Sequence, residues 1–374
     1  MNLASVRMQR FSFPLRGPIR GGQQATRERS GLRIEIENDA GQVGLGEALP
    51  LPAFAGEDEP ACLGAIEPLA RALLESEYST LATVLDGLER LAPDTPVARS
   101  AFDIALHDLE AQALGISVAR LLCAEARSQI PLSALVVAQE PTAAADEAAL
   151  RVQQGFSHLK FKVGSDAPEV DLKRLREVRK RIGAEPRLRL DANGAWDRDT
   201  AQRCLETFAC LEIEMLEQPV CADALEAMQW LTANSPIPIF ADEACVPWQR
   251  GLQYIEQTAC RGIVLKPPVL GGLRPAWKLA TAASEQNLPV VVTGFLDSPI
   301  GVAAALHLAA AIPGPSSLPA GLLAEAWLPE PIAALPEVTG ATQPCPSGPG
   351  LGLRASALEG LVQYQGPVQS WHRP

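Results

Sequence analysis

The chain has 374 residues, 47% of them hydrophobic, with a formal net charge of −12 and a pI near 5.0. At roughly 150 residues per domain this is enough for two domains, or for one barrel with an accessory unit. The acidic balance, without a run of Lys or Arg, argues against nucleic acid and anionic membranes as partners and leaves a small molecule as the expected one. The eight cysteines contain no Cys-x-x-Cys pair, which argues against a zinc ribbon and fits reduced thiols in the cytoplasm.

The first residues, "MNLASVRMQRFSFPLRGPIR", are interrupted by Arg7, Arg10 and Arg16 and lack the apolar stretch of a signal peptide, so a cytoplasmic location is expected. Next, Leu32, Ile34 and Ile36 alternate with charged residues and "NDAGQ" supplies a turn, which predicts an antiparallel hairpin over residues 30–47. Apolar residues at helical intervals predict helices over 60–75 and 97–114. Residues 1–125 therefore read as an α+β domain. Its Gly-rich polar stretch at 16–31 is expected to be a mobile loop folding over a neighbouring active site. His107, on the helix "FDIALHDLEAQAL", is expected to pack in the core or between domains.

From Ile130 the texture changes to short apolar strands, each followed by an Ala-rich charged stretch: "IPLSALVV", "HLKFKV", "RLRLDAN", "EMLEQPV", "IPIFADE", "GIVLKPP" and "LPVVVTG". This βα repeat, with an eighth strand near 318–322, predicts a closed (β/α)8-type barrel over 126–328. A doubly wound open sheet is the competing arrangement, but no Gly-rich phosphate loop follows the first strand. The apolar run 300–313 carries His307 and is too short to cross a bilayer, so it reads as a buried helix. The loop-rich tail, 329–374, is expected to pack back on the first domain.

Lys162, Asp191, Glu217, Asp242 and Lys266 end five consecutive strands, at successive spacings of 29, 26, 25 and 24 residues. That is about one βα unit each, so all five are expected at the C-terminal mouth of the barrel, where the active sites of such barrels lie. Three hard carboxylates without His or Cys suit Mg²⁺ better than Zn²⁺, with Mn²⁺ as a substitute. A partly desolvated lysine beside a cation has its pKa lowered and becomes a usable general base, while the cation stabilises an enediolate. Together these groups describe proton abstraction next to a carboxylate. Lys160 shares the inward face of its strand with Lys162 and has a partner or a role there. Asn193 is a supporting group beside Asp191, and Glu243 is expected to point away from Asp242 by strand alternation. A Schiff-base lysine on a metal-free barrel is the alternative chemistry.

The Lys-x-Lys pair, the three carboxylates and the sixth-strand lysine make the chain resemble the enolase superfamily, muconate-lactonizing subgroup, over nearly its whole length. The resemblance implies an enolase-like modified barrel with an N-terminal capping domain completed by the C-terminal tail. It also implies that Lys162 and Lys266 flank the substrate carbon while Lys160 orients and neutralises the carboxylate. "GEALPLPAFAGE", "LKPPVLGGL" and "VVTGFLDSPIGVAAALHLAAAIPG" look most like o-succinylbenzoate synthases of menaquinone biosynthesis. The expected reaction is then a lyase reaction, a syn dehydration begun by Lys162, with Asp297 (Glu in many synthases) and Ser298 as substrate contacts. The alternative is an N-acylamino acid racemase or dipeptide epimerase. Dipeptide epimerases usually carry Asp-x-Asp after the last strand to hold the substrate's amino group, and "PAGLLAEAWL" has no such pair.

Overall fold

A computed structural model describes residues 2–21, 24–52, 56–76, 79–328, 334–353 and 362–373. Three strands begin the chain: β1 (Leu3–Gly21), β2 (Gln24–Asn38) and β3 (Val43–Ala48). The expected hairpin is β2–β3, turned by the Asn38 side chain, which accepts from the amides of Ala40 and Gln42. The expected helices are Glu59–Glu75 and Pro96–Ala113, and a further one, Leu81–Leu91, lies between them. The described part of 16–31 continues β1 and β2 as paired strand on both sides of residues 22–23, which lie outside the described residues. From the far end of the chain, β13 (Gln363–His372) pairs antiparallel with β1 and completes a sheet of order β13-β1-β2-β3.

Two short strands follow the cap, β4 (Gln129–Pro131) and β5 (Ala134–Val136). Then come β6 (His158–Lys162), β7 (Arg187–Asp191), β8 (Ile213–Glu217), β9 (Ile239–Ala241), β10 (Gly262–Leu265) and β11 (Val290–Val292). Strands β5 to β11 form one parallel sheet in chain order, with helices between them. The eighth position is filled by 317–321 through isolated bridges: Ser317 to Val290, Thr293 to Gly321, and Ala320 to Leu132. Pro319 lies in this segment and has no N–H to give a ladder, which is why the closure is irregular. Pro344, in the short strand β12 (Thr342–Pro344), pairs with Gln129 of β4.

Alternation along these strands explains the site. Leu159, Phe161, Leu188, Leu190 and Leu216 face the helices and join the main apolar core. On the inner face, Met215, Phe240, Val264 and Val291 form a separate apolar plug against Leu318. Two residues beyond three of them stand Glu217, Asp242 and Lys266. The charged mouth is thus one layer above a dry floor, as period-two geometry requires. Among the described residues, no helix is long and apolar enough to cross a membrane. The helix Pro299–Ala311 is instead wholly buried.

Candidate active site

Parallel register sets Lys162 beside Asp191 and Asp191 beside Glu217. Asp191, Glu217 and Asp242 are 2%, 1% and 3% exposed, and Lys266 is buried with them. The ammonium of Lys160 lies 2.8 Å from Asp191 Oδ2 and 2.8 Å from both carboxylate oxygens of Glu217. Lys266 donates to Asp242 Oδ2. Lys162 is exposed, and among the described residues its ammonium makes no ion pair or hydrogen bond.

The electrostatics follow from burial and crowding. Burial opposes charge on Lys160, but Asp191, Glu217 and Asp242 outweigh it and raise its pKa well above an ordinary lysine's. Lys266 behaves alike: burial lowers its pKa, and Asp242, Glu217 and Glu243 together raise it further. Carboxylates thus outweigh both burial and the neighbouring Lys160 charge at Lys266. Burial and the Asp191 charge push Glu217 up to about 8. Burial raises Asp242 despite Lys266 beside it. For Asp191 the burial penalty is overcome by Lys160, Lys162 and Lys266, which lower its pKa.

The strand β9 ends at Ala241, so alternation stops before Glu243, which begins a 3-10 turn. Glu243 therefore turns toward the site: its Oε1 accepts from Asn193 Nδ2 at 3.1 Å, and its buried Oε2 has no hydrogen-bond partner. Asn193 sits at φ +43, a conformation Asn tolerates, and its amide donates to Asp191 Oδ1. Four carboxylates (Asp191, Glu217, Asp242, Glu243) thus meet two contacting ammonium groups. Among the described residues, no three acidic, His or Cys side chains are already grouped as metal ligands, and Lys160 and Lys266 contact three of these carboxylates. The donor set nonetheless fits a hard divalent cation: all oxygens, an excess of buried negative charge, and one orphaned carboxylate oxygen.

Asp297 and Ser298 belong to a different cluster, at the joint between cap and barrel. Glu47, at the end of β3, accepts from the amides of Ser298 (3.2 Å) and Gly301 (3.0 Å) and from Ser298 Oγ. Asp297 accepts from the Phe295 amide at 2.8 Å, and its carbonyl accepts from Trp327 Nε1. Arg29, from β2, ties Leu49, Pro50 and Leu296 together through their carbonyls. Leu296 has φ +58, a strained value for a branched side chain, and is held there by these contacts. Sequence reasoning passed over Gln218 as well. It is fully buried, and its Oε1 accepts from the amides of Asp242 and Ala244, locking the fourth strand end to the fifth. Its place beside Glu217 in "EQP" was the available signal. His107 is buried, as expected, with Nδ1 2.8 Å from the Asp103 carbonyl.

A barrel with acid and lysine residues on successive strand ends under an α+β cap defines the enolase-type architecture. Family models agree: the mandelate racemase/muconate lactonizing enzyme N-terminal domain matches residues 4–123, and the enolase C-terminal domain-like model matches 143–357. The chain belongs to this family, in the muconate-lactonizing subgroup of the enolase superfamily. It is 31% identical to the L-Ala-D/L-Glu epimerase of Clostridium acetobutylicum, over 83% of this chain and 87% of that protein. It is 26% identical to the N-succinyl-L-Arg/Lys racemase of Bacillus cereus, over 83% and 84%. The substrate-liganded structure of the Bacillus subtilis L-Ala-D/L-Glu epimerase superposes with a TM-score of 0.88 at 28% identity, covering 94% of this chain and 99% of that one. The Enterococcus faecalis dipeptide epimerase complexed with Mg and L-Leu-L-Tyr gives 0.86 at 27%, covering 94% and 99%.

These similarities overturn the expectation of an o-succinylbenzoate synthase, and with it the lyase reaction and the place in menaquinone biosynthesis. The similar proteins include epimerases, a racemase and chloromuconate cycloisomerases, which are isomerases and not lyases.

Proposed function

We propose that this protein is a Mg²⁺-dependent racemase or epimerase that inverts the carbon next to the carboxylate of an N-acylated amino acid. The observation that carries the reading is the placement of Lys162 and Lys266 at the ends of β6 and β10, four positions apart in an eight-position ring, with the carboxylates between them. Inversion needs one base on each face of the substrate carbon, and this ring provides one on each side.

Asp191, Glu217 and Asp242 would hold the ion, with Glu243 and Asn193 behind them. When bound, Mg²⁺ supplies positive charge against the substrate carboxylate as electron density moves into it. Lys162 takes the α-proton, breaking the C–H bond and forming an N–H bond, and leaves that electron pair on the substrate. Lys266, as the ammonium, returns a proton to the opposite face; for the mirror-image substrate the two exchange roles. Lys160, held between Asp191 and Glu217, keeps a fixed positive charge under the site.

A dipeptide is itself an N-acylated amino acid, one whose acyl group carries an ammonium. The stretch "PAGLLAEAWL", 319–328, has no Asp-x-Asp pair, so an acyl group without an ammonium fits this end better. The dipeptide reading is kept as second because the relatives at 30–31% identity include L-Ala-D/L-Glu epimerases. The test is a panel of N-succinyl-amino acids, N-acetyl-amino acids and dipeptides incubated with purified protein and Mg²⁺ in D₂O, read by chiral chromatography and α-deuterium incorporation. Absence of both inversion and exchange across the whole panel would sink the proposal.

A further inference from the structure

Lys162 differs from Lys266 in how it is held. Lys266 is buried, and its ammonium is tied to Asp242. Lys162 is exposed at its strand end, so the direction of its side chain depends on how firmly its own backbone is fixed. That backbone is gripped from the following helix, Pro168–Ile182. Asp171 and Arg174 lie one turn apart on it, 1% and 2% exposed, with Arg174 Nη2 2.7 Å from Asp171 Oδ1. Arg174 Nη2 also donates to the carbonyl of Lys162, and Asp171 Oδ2 accepts from the amide of Gly164 at 2.9 Å. The pair therefore spans Lys162–Val163–Gly164 from both ends. Between them, the Val163 amide donates to the Asp191 carbonyl at 2.9 Å. Arg174 Nη1 reaches Gln139, just beyond β5, so the grip spans the first three strand ends.

Gly164 completes the clamp. Its φ is +86, and a Cβ there would lie 3.0 Å from Ala195 and from Trp196 Nε1. The chain must turn sharply against the next strand's loop as soon as it leaves Lys162. A buried Arg–Asp pair is weak as a stability device, since apolar residues of similar volume often do as well. Its value here is directional. It satisfies backbone groups that the ladder leaves free at the strand end, in a fixed geometry that an apolar pair would not impose.

We propose that Asp171 and Arg174 are positioning residues for Lys162, fixing the direction in which its ammonium enters the site. The proposal rests on the reading of Lys162 and Lys266 as the two bases.

The experiment has two arms. In the first, hydrogen–deuterium exchange of peptides covering 158–166 is followed in the substrate-free protein for wild type, Asp171→Asn, Arg174→Lys and Arg174→Met. The conservative Arg174→Lys keeps the charge and loses the fork, which guards against misfolding of Arg174→Met. Faster exchange in the variants is expected, and exchange equal to wild type overturns the clamp whatever the enzyme does. In the second arm, Mg²⁺-loaded protein is given N-succinyl-L-arginine or N-succinyl-D-arginine in D₂O beside Lys162→Ala and Lys266→Ala. The clamp variants should lose about 10²-fold in α-exchange of the one enantiomer that Lys162→Ala loses, and keep the other near wild type. Equal loss on both enantiomers would mean a general structural defect and overturn the proposal. Failure of Lys162→Ala and Lys266→Ala to split the enantiomers would instead refute the two-base reading, and the first arm would still decide the clamp.

Discussion

The Lys160 ammonium lies 2.8 Å from Asp191 and 2.8 Å from Glu217, so one half-buried cation is shared by two of the three carboxylates expected to bind metal. Removing it takes away the one cation in direct contact with both acids among the described residues, leaving only the more distant charges of Lys162 and Lys266. Lys160→Met should lose about 3–5 kcal/mol of stability without metal, as for a broken buried pair. Added Mg²⁺ should recover much of that loss. Thermal and denaturant unfolding with and without Mg²⁺ measure this, and a deficit that Mg²⁺ leaves unchanged would contradict the metal assignment.

Glu217→Gln should act in the opposite sense on the metal-free protein. Burial and Asp191 already disfavour the Glu217 charge, so a neutral amide is tolerated there or stabilises. The same change should abolish Mg²⁺-dependent stabilisation, which for wild type at 100 times Kd amounts to about 2.7 kcal/mol. Calorimetric titration with Mg²⁺ reads it directly. Binding by Glu217→Gln as tight as wild type would count against Glu217 as a ligand.

The two lysines should separate by face. Lys162→Ala and Lys266→Ala should each lose about 10²–10⁴-fold in α-proton exchange of one enantiomer, and of opposite ones. Lys266→Arg keeps the charge but cannot act as a base near neutral pH, so inversion should vanish while exchange on the Lys162 face persists. Deuterium incorporation into each enantiomer, followed by mass spectrometry, is the measurement.

Glu47 gives a pH prediction away from the metal site. Burial first, then the Asp297 charge, push it up to about 8 from an ordinary value of 4.5. Between those values the folded chain holds a proton that the unfolded chain has released, so stability falls as pH rises through the window. Glu47→Gln removes that proton and keeps a carbonyl for the amides of Ser298 and Gly301. Its stability relative to wild type should therefore grow from pH 5 to pH 8 by about 1–3 kcal/mol. Asp297, pushed up to about 6 mainly by burial, leaves a smaller slope of the same sign at lower pH. Denaturant titrations at the two pH values provide the check. A pH-independent difference would refute it.

The strand-end charges were legible in the sequence because one βα unit has a nearly constant length and strand alternation has period two. Together these placed Lys160, Lys162, Asp191, Glu217, Asp242 and Lys266 on one inner face. The product was not legible, and burial explains why. Pro267 to Leu270 of "LKPPVLGGL" are buried, Glu47 of "GEALP" is bound to the start of Pro299–Ala311, and the apolar run after Asp297 is that buried helix. Those segments report packing and the cap–barrel joint, which a synthase and an epimerase can share, and not contacts that distinguish substrates. Only the tertiary structure brought Glu47 to Ser298, 251 positions away, and β13 to β1 across the whole chain. It also turned Glu243 inward, because β9 ends before alternation can send that side chain outward. Local periodicity determines which face a residue takes along a regular strand. Which distant backbone group a buried Arg29, Gln218 or Arg174 satisfies depends on the closed barrel and the cap seated on it, since those partners come together only when both have folded.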